Sequence, residues 1–215
     1  IFCAYELIRQ KPDMKILMIE KGRAIENRNC PKRKTKKCVG CVPCSITTGF
    51  AGAGAFSDGK LSLSPDVGGN LPEILGYEQT EELIHEADSV YLKFGADEKV
   101  YGIDDYEAIE HIRAKAIRAN LKLIECPIRH LGTEEGYKIY TRIQEHLLAA
   151  GVTIQFMTMV KNILIEDGRA IGVITDRGDT LYGDEIVAGV GREGSEWFAG
   201  ICREHGIETK VGTVD

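Results

Sequence analysis

Residues Lys15 to Ile19 (KILMI) form a continuous apolar run that leads straight into Glu20, just after a segment of helical periodicity. Ile1, Ala4, Tyr5 and Ile8 repeat at the spacing of one helix face, and Lys11-Pro12-Asp13 ends the segment. An unalternating strand of this kind is buried on both faces, as a parallel sheet requires. Helix and strand together read as the α and second β of a βαβ unit. A carboxylate at the carboxyl end of that strand is the group that grips the ribose hydroxyls of an adenine dinucleotide, so Glu20 points to a nucleotide site. The unit should open with a strand and a G-x-G-x-x-G turn whose N–H groups hold the pyrophosphate. The chain instead opens on IFCAYELIRQ without an initiator Met, and it reads as a piece of a longer protein that begins just after that turn.

Composition narrows the function class. With 215 residues, 43% hydrophobic and 28% charged, the chain can bury a sizeable core as one large domain or one and a half. A net charge of -6 argues against a nucleic-acid surface. The one basic block, Lys32 to Lys37 (KRKTKK), lies between cysteines in an otherwise acidic chain and reads as a solvated loop. No apolar run reaches the roughly eighteen residues of a membrane span, and no secretory signal with a cleavage site is visible. A cytoplasmic protein without membrane or nucleic-acid partners is expected. The seven cysteines are odd in number, and four crowd into one segment, which suits thiol or metal chemistry better than a disulfide framework.

Along the chain, residues 23 to 76 are rich in Gly, Cys, Pro and Lys without sustained periodicity, and a loop this long is normally functional or disordered. Tyr77 to Phe94 reads as an amphipathic helix with Leu83, Ile84, Ala87, Val90, Tyr91 and Phe94 on one face. Asp104 to Ala119 reads as a second, capped by Asp104 or Asp105. Leu121 to Cys126 is a short strand, Thr133 or Glu134 opens a helix to Ala150 stopped by Gly151, and Val152 to Met157 is a further strand. From Met159 onward the period becomes two: Val160 to Glu166, Arg169 to Asp176 and Asp179 to Tyr182 form a meander turned by Asp167-Gly168 and Arg177-Gly178. Glu185 to Ala188 reads as a strand running into Gly189, Gly191 and a helix from about Gly194 to His205.

This order of parts is that of the flavoprotein dinucleotide fold, and the segment GFAGAGAFSDGKL (Gly49 to Leu61) makes the likeness specific. With IEKG before it, PIRHLGT at Pro127 to Thr133 and IVAGVGREG after it, the chain resembles an uncharacterised FAD-dependent dehydrogenase family of the glutathione-reductase-like superfamily. The resemblance implies an α/β fold, a glutathione-reductase-like FAD/NAD(P)-binding (Rossmann-like) domain with a three-stranded β-meander. Residues 1–76 and 120–215 would form that domain, lacking its first strand, and 77–119 a helical insertion or part of a substrate domain. It further implies an oxidoreductase that uses FAD to move a hydride or electron pair to or from a small organic substrate, with NAD(P)H an open question as donor. Carried over, Glu20 matches the ribose acid and Lys21-Gly22 the turn beneath the adenosine. Gly52, Ala53 and Gly54 match the loop that approaches pyrophosphate and flavin, continued by Ser57, Asp58, Gly59 and Lys60. Val160 matches the residue whose backbone meets adenine. Ala188, Gly189, Val190 and Gly191 match an A-T-G turn, though this chain has Gly-Val where Ala-Thr is usual.

Each position also has a plainer reading: Glu20 as a surface strand end, Gly49 to Leu61 as a linker, Val160 as core, and 189 to 191 as the start of a helix. Phe50, Phe56 and Leu61 interleave with the glycines, which speaks against a linker.

Cys30, Cys38, Cys41 and Cys44 form C-x7-C-x2-C-x2-C. The spacing is similar to ferredoxin iron–sulfur ligand runs, though the usual following Pro is absent and the fourth Cys lies upstream. Four thiolates also suit tetrahedral zinc. A redox dithiol like that of disulfide reductases is the third reading, but no pair here has the C-x4-C spacing; free structural thiols are the fourth. Cys3, Cys126 and Cys202 sit in apolar segments and read as core. Arg129 and His130, at a strand end, are the candidates for an anionic substrate or proton transfer, against a hydrogen-bonded loop pair. The competing function class is a metal- or iron–sulfur-binding electron-relay or assembly module without substrate turnover.

Overall fold

A computed structural model describes residues 1–210. The chain is mixed α/β with parallel and antiparallel sheets, in two compact units, Ile1–Phe156 and Met157–Asp215. Among the described residues no helix is long and apolar enough to cross a membrane.

In the first unit the elements run α1 (Phe2–Gln10), β1 (Leu17–Ile19), α2 (Lys32–Thr35), β2 (Lys60–Ser62), α3 (Leu71–Leu75), α4 (Tyr77–Lys93), β3 (Val100–Tyr101), α5 (Tyr106–Arg118), β4 (Ile128–His130), α6 (Thr133–Ala149) and β5 (Thr153–Gln155). β1 pairs with β5 in parallel, Met18 facing Ile154, and the ladder continues to the Glu20 N–H, which donates to the Gln155 carbonyl at 2.9 Å. The second sheet is antiparallel, in the order β2-β4-β3. The core lies around α6: Ile139, Ile143 and Leu147 are fully buried on one face at the i, i+4, i+8 spacing and meet Tyr5 and Ile8 of α1, Phe50, and Tyr91 and Phe94.

Helix ends follow their chemistry. Asp105 caps α5 by accepting from the Ala108 N–H at 2.9 Å, and Gly151 takes φ +88° just past α6. The buried face of α4 differs from the apolar periodicity, because Asp88 turns inward with Tyr91 while Leu83 is exposed. Leu121 to Cys126 forms no strand. β2 offers partners only from Lys60 to Ser62, so pairing begins where the Leu63 N–H reaches the Pro127 carbonyl and continues through β4. The long 23–76 segment contains α2, β2, α3 and two 3-10 turns, Ile25–Asn27 and Gly52–Phe56.

The second unit is the expected meander, β6 (Val160–Glu166), β7 (Arg169–Thr175) and β8 (Thr180–Tyr182), followed by α7 (Ser195–Glu204). Asp167 and Gly168, both at positive φ, form the first hairpin turn. The expected strand Glu185 to Ala188 is irregular: among the described residues nothing forms a ladder with it, and Val187 is 72% exposed. The Trp197 indole N–H donates to the Lys161 carbonyl at 2.9 Å and ties α7 to β6.

Candidate functional site

Glu20 ends the parallel strand, and its Oε1 accepts the Gly22 N–H at 2.7 Å, closing the turn through Lys21. Immediately beyond, two chain segments cross. Arg23 and Gly49 form a parallel bridge, and the Phe50 N–H donates to the Arg23 carbonyl at 3.0 Å. A Cβ on Gly22 would lie 2.5 Å from the Gly49 Cα, and one on Gly49 would lie 2.8 Å from the Arg23 carbonyl oxygen. Both positions therefore require glycine, the second also because its φ is +125°.

Arg28 fixes the segment that follows. It is 2% exposed, and its guanidinium donates through Nε to the Ser45 carbonyl (3.0 Å), through Nη1 to Phe50 (2.5 Å) and Gly52 (2.7 Å), and through Nη2 to Ile46 (2.7 Å). Its face lies over the Phe56 ring at 4.8 Å, and Arg33 approaches the same ring at 5.3 Å. Burial draws the Arg28 pKa down, against the opposing pull of Glu20 and Cys44. A planar fork of donors meets diverging carbonyls as a lysine could not. Nearby, the buried Gln144 of α6 accepts the Ile25 N–H at 3.1 Å and donates to Glu26 at 2.9 Å, supporting the 3-10 turn before Arg28.

The glycine loop is bent left-handed at Gly49, Ala51 (φ +66°) and Gly52 (φ +55°). Gly52 faces open space, with nothing within 4 Å of the Cβ position, and Ala53 is exposed. Gly54 faces inward, where a Cβ would lie 3.1 Å from the Tyr140 hydroxyl; that hydroxyl in turn bonds Tyr91 at 3.1 Å. Burial, reinforced by Tyr140, holds the Tyr91 pKa well above the ordinary phenol value. Ser57 bends the exit by donating to the Gly54 carbonyl (3.3 Å) and accepting the Gly59 N–H (3.2 Å). The Asp58 and Gly59 carbonyls accept from Gly132 and Leu131, and Lys60 then pairs opposite His130. Gly52 thus presents open backbone in the loop whose Gly49 crosses Gly22, two residues beyond the Glu20 carboxylate.

Arg129 faces inward. Its Nε and Nη2 engage both oxygens of Asp88 at 2.5 and 2.7 Å, and Nη1 donates to the Asp97 carbonyl at 2.6 Å, so its donors clamp β4 to α4 and the 97–99 loop. His130 faces the other way, its ring 4.9 Å from Tyr101. In the second unit, Val160 opens β6 opposite Thr175, and Gly189 and Gly191 lie exposed before α7, with Gly191 at φ +62°.

Cys38, Cys41 and Cys44 are exposed and Cys30 half-buried. Among the described residues no three His, Cys, Asp or Glu side chains come together as metal ligands. Cys202 is buried as expected, whereas Cys126 is half-buried and Cys3 exposed, because α1 turns Ala4, Tyr5 and Ile8 inward.

Arg28, Gln144 and Tyr140 were not legible in the sequence. Nothing sets Arg28 apart from Arg23 or Arg33 until the carbonyls around it are known, and Gln144 and Tyr140 read as ordinary positions of a helix. No protein-family model and no curated protein matches the chain.

Proposed function

We propose that the chain is the nucleotide-binding part of an FAD-dependent oxidoreductase that moves a hydride or electron pair to or from a small organic molecule. The observation that carries this reading is the Glu20 carboxylate, held at the end of a parallel strand by the Gly22 N–H where the glycine loop crosses. Glu20 would hold the ribose hydroxyls, and Gly22 lets the glycine loop cross directly after it. Gly52 would let the pyrophosphate approach the backbone, with Gly54 seated on Tyr140 and Arg28 keeping the loop in shape. Bound flavin supplies the two-electron chemistry, and the protein fixes its position and polarity.

The test is titration of the purified full-length protein with FAD, followed by flavin fluorescence. Glu20→Gln removes the charge. Gly52→Asn fills the open space while keeping a residue that tolerates the left-handed backbone. Each should weaken FAD binding about tenfold, the worth of one charge-assisted hydrogen bond or one blocked contact, with melting near that of the parent. Failure to take up FAD, or binding unchanged in both variants, overturns the reading.

A further inference from the structure

We propose, resting on the flavoprotein reading for its role in turnover, that the outward face of the β2-β4-β3 sheet binds the carboxylate of the organic substrate through Lys60 and Lys99, beside His130 and Tyr101. The register assigns the faces. Lys60 lies directly opposite His130, Ser62 opposite Ile128, and Tyr101 opposite Ile128, so these residues share one face. Leu61, Arg129 and Val100 take the other, where Arg129 is 4% exposed and bound to Asp88. Ring geometry agrees: Tyr101 meets His130 edge-on at 4.9 Å, and the Lys99 ammonium lies 4.6 Å from the centre of the Tyr101 ring.

The strand residues Lys60 and His130 on this face, with Lys99 just before β3, are all basic, in a chain whose net charge is -6. Among the described residues neither lysine has an ion-pair partner. Asp97, two residues before Lys99, turns its Oδ1 to the Lys99 backbone N–H at 2.9 Å. Two exposed ammonium groups beside an imidazole supply donors for a carboxylate, and the Tyr101 ring supplies apolar surface for the carbon skeleton.

The patch is also rigidly built. Gly59 packs so closely on Leu131 that a Cβ there would lie 2.9 Å away, and its carbonyl accepts the Leu131 N–H at 2.8 Å. Lys60 is thereby held against His130 by the same segment that leaves the glycine loop at Phe56. A substrate carboxylate seated here would be gripped at the exit of the proposed flavin loop.

The test follows the His130 ring resonances, identified by their loss in His130→Asn, during titration of the purified protein with succinate, its neutral diamide and inorganic phosphate. Succinate should shift them saturably and the diamide should not. Lys60→Gln and Lys99→Gln should each weaken succinate about tenfold, the loss of one charge-assisted contact, while the exposed control Lys122→Gln leaves it unchanged. No shift with succinate, a response to phosphate alone, or an affinity indifferent to Lys60→Gln overturns the proposal. FAD titration of the same samples separates the two readings. Succinate binding without FAD binding sinks only the flavoprotein assignment, and FAD binding without succinate binding sinks only this one.

Discussion

Gly22 and Gly49 pass backbone to backbone, so close that a Cβ on the first would stand 2.5 Å from the Cα of the second. Neither the Gly49 backbone nor the Thr48 carbonyl carbon, 2.7 Å from the same point, is the end of a flexible side chain. Gly22→Ala should therefore force the crossing apart and destabilise the protein by about 3 kcal/mol, the upper range for overpacking. Thermal melting of the variant checks this; a melting point within about a degree of the parent contradicts the crossing.

Arg28→Lys keeps the charge and discards the fork. Four carbonyls lose their donors, and one ammonium can reach only some of them. A loss of about 2 kcal/mol or more is expected, from buried acceptors left unsatisfied. Denaturant unfolding measures it, and a change below about 0.5 kcal/mol would show that the loop holds itself.

Asp88→Ala leaves the Arg129 guanidinium buried without its partner, and a loss of about 3–5 kcal/mol is expected. Asp88→Leu combined with Arg129→Met should recover much of it, because an apolar pair of similar volume carries no desolvation penalty. Equal losses in the single and double variants would show that packing, not the ion pair, sets the cost.

His146 packs against Tyr5 and Phe94, with Lys93 beside them and Arg9 at the rim of the same cleft. Burial first, and the Lys93 charge second, lower its pKa from the ordinary 6.5. The unfolded chain then binds the proton at a higher pH than the native state does. The contribution of His146 to stability is whole above about pH 6.5 and declines as the pH falls below it toward the lower native value. Melting followed from about pH 7.5 to about pH 5 should fall less steeply in His146→Phe than in the parent, and identical slopes would refute the coupling.

Helices were the legible part of the fold, since α4, α5 and α6 carry both periodicity and end signals such as Asp105 and Gly151. The meander was equally plain from Asp167-Gly168. β2, β3 and β4 were not, because two or three residues are too few to display a period. Leu83 was expected on the apolar face of α4, yet Asp88 is the residue buried, because it pairs with Arg129, 41 residues away. Glu185 to Ala188 has the composition of a strand, but a strand needs a neighbour to take its amides. Of the candidate site, Glu20 and the glycines could be found by pattern. Arg28 could not, because its significance lies entirely in the carbonyls that surround it.

Arg28 reaches both sides of a boundary. Two of its acceptors, Ser45 and Ile46, directly follow Cys44, and the other two, Phe50 and Gly52, belong to the glycine loop. The guanidinium is thus a rivet between the exposed thiol segment and the proposed nucleotide cradle. Whatever chemistry strains the backbone beside Cys44 pulls on Gly52 through a single side chain, so the two segments shift together or stay still together.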